Sequence, residues 1–280
     1  MKIAVLADIH GNRQAMETVI DHIDQWQPDH VIVNGDTVNR GPCSLACWQA
    51  ISARMEQGWQ HTLGNHEGYQ LNILANGFKS EIERQIFMPL EKAYQQLGQQ
   101  VQSFTQLPSQ VSLYAPDGSE LRATHASMNS NRDSIFADSS LTTLREQIAP
   151  PPAIFVTAHT HMAFQRQVDK TLLVNTGSVG TPADKDIRAS YAQIIWENGR
   201  WHAKNLRLDY DREATIHDFN ESGILSDETI FAQLVFQEWF EADFYMFHWM
   251  DLYYEDVVAG KIGLKTAVTQ YLQQRAGETR

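Results

Sequence analysis

Cysteine is nearly absent, long apolar runs are missing and basic residues are outnumbered. Each lack narrows what the chain can be. Only Cys43 and Cys47 occur. Two thiols cannot close a four-ligand zinc site, and the cysteines are too few for a disulfide framework. They read as reduced, partly buried thiols. No uncharged stretch approaches the roughly 18 residues a transmembrane helix needs. The opening MKIAVLADIHG lacks the basic start, the long apolar segment and the cleavage site of a signal peptide. The expected location is therefore the cytoplasm, with no membrane partner. With 22 Lys and Arg against 34 Asp and Glu, the net charge is −12. Such a surface repels nucleic-acid backbones and anionic bilayers, so stable nucleic-acid binding is not expected. The remainder is 42% hydrophobic and 20% charged over 280 residues. That is ordinary for a globular enzyme and enough for one large α/β domain with or without an appendage.

The chain opens with alternating elements. Lys2 to Ala7 reads as a buried strand. Ala15, Val19, Ile20 and Ile23 recur at helical spacing until Pro28. His30 to Asn34 is a second strand, Ser44 to Glu56 a helix, and Trp59 to Leu63 a third strand. This alternation predicts a parallel sheet covered on both faces. Residues 68 to 107 are polar and helical and read as an insertion of two or three helices. Strands return at Val111 to Tyr114 and Glu120 to Thr124, joined by the turn PDGS. Further strands are expected at Ala153 to Thr157, Thr171 to Asn175, Tyr191 to Trp196 and Trp201 to Arg207, the last two joined through ENGR.

The main domain is expected to span 1–208, with the insertion inside it, and 209–280 to be a helical extension packed on it. Residues 226 to 256 are helical and crowded with aromatics, interrupted by Glu238, Glu241, Asp243 and Asp251. They read first as helices packed on the main domain. A lid over the site and a subunit contact that makes an oligomer are the alternatives.

Five clusters hold the unusual polar residues, each just after a predicted strand: Asp8 with His10, Asp36, Asn65 with His66 and Glu67, His125, and His159 with His161. Strand carboxyl ends share an edge where ligands bind. Clusters distant in sequence should therefore meet there. Two carboxylates, an amide and several imidazoles without thiolate suit manganese, iron or zinc better than calcium. Any one cluster is weak evidence, and His22, His30, His61, His202, His217 and His248 read as structural.

ADIHGN, GDTVNRG, GNHE, THAS and AHTH resemble the successive motifs of the calcineurin-like metallophosphoesterase superfamily. GDTVNRG and GNHE lean toward its Ser/Thr phosphatase and diadenosine tetraphosphatase branch. VNTGSVGTPADKDIRASYA resembles a stretch of small bacterial phosphodiesterases in the same superfamily. The likeness spans roughly Met1 to Arg207. It implies a four-layer α/β/β/α sandwich. It implies two divalent metal ions, manganese first and iron or zinc as alternatives. Asp8, His10 and His161 would hold one ion, Asn65, His125 and His159 the other, and Asp36 both. Asn65, His66 and Arg40 would contact substrate, with His66 as proton donor and Arg40 gripping the phosphoryl oxygens.

The implied activity is hydrolysis of a small or medium phosphate ester, a phosphodiester first, by a hydroxide bridging the metals. A protein Ser/Thr phosphatase or a dinucleoside polyphosphate hydrolase is the runner-up. A non-catalytic scaffold of the same fold is disfavoured, because all seven ligand positions and His66 are present. Two positions depart from the pattern. Asn39 stands where the phosphatase motif has Asp, so that either His66 is a weaker acid-base group here or Glu67 or another carboxylate substitutes. Ala158 stands where Gly is usual and is harmless unless the backbone there needs positive φ.

Overall fold

The computed structural model describes residues 1–226 and 229–278. Two five-stranded sheets form its centre. The first runs β10(Arg200–Leu208), β9(Ala189–Glu197), β1(Lys2–Leu6), β2(His30–Val33), β3(Gln60–His61). Strands β1, β2 and β3 are parallel, while β9 and β10 form an antiparallel hairpin on the other side of β1. The second runs β4(Gln110–Tyr114), β5(Glu120–Thr124), β6(Ile154–Thr157), β8(Thr171–Thr176), β7(Ala163–Val168). Here β5, β6 and β8 are parallel and the two edges antiparallel.

Period-two burial explains the layering. In β1, Ile3 and Val5 join Ile32, Val156, Val174 and Ile194 in a core between the sheets. Ala4 and Leu6 point the other way, onto α1(Arg13–Trp26) and α2(Ser44–Met55). On the outer face of the second sheet, Phe155 and Leu173 pack on Leu144 of α6(Leu141–Gln147). Helix, sheet, sheet, helix is thus the order of the layers. Helix α1 shows why the elements start where they do. Asn12 caps it by accepting from the Ala15 N–H at 3.2 Å, and Gln27 ends it in a left-handed conformation before Pro28.

After β3 come α3(Asn65–Asn76), α4(Glu81–Ile86), α5(Met88–Leu97) and a 3₁₀ stretch at Gly98–Gln106. The helical run begins on the GNHE motif itself rather than beyond it. Strand β7 and helix α6 have no counterpart among the elements expected from sequence. The former is an edge strand whose polar residues show no alternation. After β10 come α7(Arg212–Glu221), α8(Ala232–Glu241), α9(Met246–Val258) and α10(Leu264–Glu278). Of the helical stretch expected at 226–256, residues 227 and 228 lie outside the described ones.

Phe231, Leu234, Tyr245, Trp249 and Val268 form a core of their own in this region, joined by Ile86 from α4. Tyr210 binds the Trp239 Nε1–H at 2.8 Å, and Arg13 pairs with Asp218 at 3.1 Å, fastening these helices to the sandwich. Cys43 and Cys47 are free thiols. No described helix is long and apolar enough to cross a membrane.

Candidate metal centre

Asp8 lies beyond β1, Asp36 beyond β2, Asn65 and His66 at the start of α3, His125 directly after β5, and His159 and His161 beyond β6. The structure therefore draws the site from the carboxyl ends of strands in both sheets, at the seam between them. The loops after β1 and β2 continue to pair after the strands end. Asp8 N–H donates to Gly35 O at 3.1 Å and His10 N–H to Asp36 O at 3.0 Å.

Ligand atoms of Asp8, His10 and His161 lie within 4.8 Å of one another, and so do those of Asp36, His125 and His159. The Asp36 Oδ2 atom sits between the groups, 3.7 Å from His10 Nε2 and 3.3 Å from His125 Nε2. Its Oδ1 accepts from the His66 N–H at 2.8 Å. Asn65 Oδ1 lies 2.9 Å from His125 Nε2. All seven expected ligand side chains are thus brought together.

The tautomers show what this cluster suits. Nδ1 of His10, His125 and His161 lies 3.2, 2.8 and 2.6 Å from the carbonyls of Val38, Asn34 and Thr181. A carbonyl can only accept, so each Nδ1 carries a hydrogen. Each ring therefore turns Nε2 inward, where it offers a lone pair to a cation once that nitrogen carries no proton. His10 Nε2 and His161 Nε2 face each other at 3.1 Å. Asp8 Oδ1 is buried beside them with no hydrogen-bond partner. Converging lone pairs from N and O donors, with backbone carbonyls orienting the rings, fit a divalent cation.

Charge follows the same logic. Burial opposes ionisation of Asp36, but His125 and His66 outweigh it and hold its pKa well below the usual carboxylate range. Burial also lowers His125, yet Asp36 and Asp8 raise it to about 10. Burial brings His159 down to about 4, with His125 adding to the fall.

His66 sits edge-on to His10, ring centroids 4.6 Å apart. Asn39 holds it, and the orientation of that amide is fixed from both ends. Gln70 Nε2 donates to Leu90 O at 3.0 Å and also to Asn39 Oδ1. Asn39 Nδ2 then donates to His66 O at 2.9 Å and faces His66 Nδ1 at 3.1 Å. Nδ1 must therefore accept, and the ring proton sits on Nε2. Burial drives the His66 pKa to about 3, opposed by Asp36 and assisted by Arg40. His66 is accordingly a neutral Nε2–H donor.

Glu67 does not substitute for the missing Asp. Its buried carboxylate accepts from the N–H groups of Asp36 at 2.9 Å, Thr37 at 2.7 Å and Gly64 at 3.2 Å, and so braces the Asp36 loop. Ala158 adopts no positive φ, so the absent glycine costs nothing there.

Arg40 lines the same cavity as Asp36 and His66. Its Nη1 is paired with the buried carboxylate of Glu238 from α8, while its Nε is buried without an acceptor among the described residues. Glu238 Oε2 also accepts from the N–H groups of Tyr245 and Met246 at 3.0 Å each, capping α9. Among the structural histidines, His61 is satisfied by Thr37 Oγ1 and Thr62 O at 2.8 and 2.7 Å.

Sequence reasoning missed Glu238, Asn175 and Arg132. Asn175 holds the His159 loop by donating to Ala158 O at 2.9 Å. Arg132 lies over the Tyr69 ring at 4.7 Å, and Tyr69 in turn stands edge-on to His66 at 5.1 Å. A buried carboxylate in an apolar helix was the one signal available for Glu238. Asn175 lies in the VNTGSVG stretch, whose likeness gave it no role, and nothing in the local sequence marked Arg132.

The sequence pattern of the calcineurin-like phosphoesterase superfamily domain matches residues 1–199. A metallophosphoesterase from Sphaerobacter thermophilus has a similar structure, with a TM-score of 0.65 at 20% identity, over 84% of this chain and 100% of that one. A hypothetical protein from Pyrococcus horikoshii OT3 gives 0.67 at 16% identity, over 81% and 96%. No curated protein matches the sequence.

Proposed function

The chain belongs to the calcineurin-like phosphoesterase superfamily, and on that premise we propose that it is a metal-dependent phosphoric ester hydrolase acting on a phosphodiester. The observation that carries this is the meeting of six N- and O-donor side chains around the shared Asp36 carboxylate, with Asp8 Oδ1 buried and without a hydrogen-bond partner. Asp8, His10 and His161 would hold one divalent ion, Asn65, His125 and His159 the other, and Asp36 both. When bound, two such ions supply positive charge for the phosphoryl oxygens and acidify a water. Manganese is put first on the family likeness, and iron and zinc, which imidazole-rich donor sets also suit, are the alternatives.

The protein's own residues do the rest. Arg40 would offer its guanidinium to a phosphoryl oxygen while Glu238 holds Nη1 in place. His66, being neutral, would donate a hydrogen bond from its Nε2–H to the leaving oxygen rather than give up a proton, oriented by Asn39 and Gln70. Two divalent ions less the charges of Asp8 and Asp36 leave a surplus of two, and Glu238 cancels Arg40. That surplus would attract a phosphate ester of either charge, and the diester is put first because VNTGSVGTPADKDIRASYA resembles a stretch of small bacterial phosphodiesterases.

The test is turnover of bis(4-nitrophenyl) phosphate against 4-nitrophenyl phosphate by the full chain loaded with Mn²⁺. Diester hydrolysis that disappears on chelation is expected. No release from either ester, with both metals bound, removes the hydrolase reading.

A further inference from the structure

The cage opens into a cavity of about 820 Å³, near the upper end of the range for small-molecule sites. The two ends differ in chemistry. Asp36, Asn65, His66, His159, His161 and Arg40 line one end. Beyond them the walls turn apolar and come from four places in the chain. Helix α3 supplies Ile73, the junction of α4 and α5 supplies Ile86, Phe87 and Leu90, and α9 supplies Met246 and Met250. Phe231 and Val235, from the start of α8, close the far side.

Burial shows how the polar lining is distributed. Ile86, Phe231 and Val235 are 0, 4 and 3% exposed. Of the polar residues away from the cage, Asn72, Asn76, Lys79 and Arg132 are exposed and sit at the rim, while Tyr69, Glu83, Ser134 and Tyr254 are half-buried. None of them is fully buried, so the walls beyond the cage are mainly apolar and carry no set of fully buried donors and acceptors of the kind that reads a sugar or a base edge. Methionines one helical turn apart on α9 add a soft wall that can follow a flexible chain. Phe247 stands 51% exposed at the edge of the same cavity.

We infer that the chamber takes the apolar arm of the substrate, and that the substrate is an amphiphile: a phosphate ester of a long aliphatic alcohol. The phosphoryl group lies at the cage and the hydrocarbon lies among α3, the α4–α5 junction, α8 and α9. This rests on the hydrolase reading for the position of the phosphoryl group, but its test does not require turnover. The inference also gives the aromatic C-terminal helices a task. They form the half of the chamber that the sandwich lacks.

Affinity for methyl-, butyl- and octylphosphonate, measured by calorimetry on the Mn²⁺-loaded full chain below micellar concentrations, decides the matter. Each added methylene should tighten binding about three- to fourfold until the chamber is filled. Met250→Gln should reduce that gain per methylene. Adenosine monophosphate should bind more weakly than octylphosphonate. Equal affinity along the series, an undiminished gain in the Met250 variant, or tighter binding of the nucleotide would each overturn the inference. A chain-length series that holds without any ester turnover would support the chamber and count against the hydrolase reading alone.

Discussion

Glu238→Gln is the substitution that asks most of this structure. It keeps the side-chain volume and removes one charge. In the native protein one carboxylate oxygen pairs with Arg40 and the other accepts two N–H groups at the start of α9. A glutamine cannot serve both. With its NH₂ turned to Arg40, donor meets donor. With its NH₂ turned to α9, the amide hydrogens meet the N–H groups of Tyr245 and Met246.

The buried guanidinium also loses its counter-charge, and breaking such a pair from one side costs about 3–5 kcal/mol. For a chain of this size the melting temperature should fall by on the order of 10 °C. Urea denaturation of the full chain should show the loss. Arg40→Leu should be destabilising alone for the complementary reason, because it strands the Glu238 charge. The double variant should then be at least about 1.5 kcal/mol better than the sum of the singles. If the two effects add to within about 0.5 kcal/mol, the sites are independent. The C-terminal helices would then not be keyed to the site through this pair.

Asp36→Asn should remove metal and activity together, read as metal content by mass spectrometry beside diester turnover. Retention of both metals would refute the bridging role. His66→Asn should keep the metals and lower kcat by about 10²–10³, and an unchanged kcat would exclude His66 from the chemistry. Gly64→Ala should abolish metal binding without touching a ligand, because a Cβ there would lie 2.1 Å from Asp36 Oδ1 and 2.4 Å from Asp36 N. Normal metal content would show that the loop can yield.

His125 sets the pH dependence. Its folded pKa in the metal-free chain, about 10, exceeds the unfolded value of roughly 6.5. The stability from that proton is therefore full below about pH 6.5 and is lost as pH rises through about 10. Mn²⁺ uptake at pH 7 should release a proton, visible as a buffer-dependent binding enthalpy. Equal enthalpies in buffers of different ionisation heat would refute this.

The chemistry of the site was more legible in the sequence than its support. Ligand motifs are local, since Asp8 and His10, or His159 and His161, lie two residues apart after a strand that announces itself by burial. The two-layered origin of the cage was legible only through the resemblance, because alternation of elements indicates a parallel sheet and not a seam between two. Strand β7 went unseen because an edge strand buries little and alternates weakly. Long-range partners were invisible in principle. Glu238 lies 198 residues from Arg40, and its acidic character reads equally as a solvated interruption of an apolar helix. Glu67 was noticed for the right reason and given the wrong partner. It accepts backbone N–H groups that no sequence pattern displays.

What the sequence conceals most completely is the conformation of the ligands themselves. Of the twelve described residues other than glycine that have positive φ, seven are gathered here: Asp8, His10, Asp36, Asn39, Arg40, His159 and His161. For residues with a Cβ this region costs up to roughly 1–2 kcal/mol each, less for Asp and Asn. Such a cluster persists only where its surroundings over-determine it. The surroundings here are identifiable.

Ser178 Oγ–H and the Gly180 N–H both donate to Asp8 O, at 2.7 and 2.9 Å. Gly180 must be a glycine, since a Cβ would fall 1.8 Å from Ile9 O. Glu67 braces the Asp36 loop and Asn175 the His159 loop. The glycine-rich stretch after the last histidines is therefore a clamp on the first ligand, and it acts across some 170 residues of chain. The cage is held from outside. Substitution at Ser178 or Asn175, neither of which reaches the metals, should loosen it from behind, in the same way that Gly64→Ala would break it from the front.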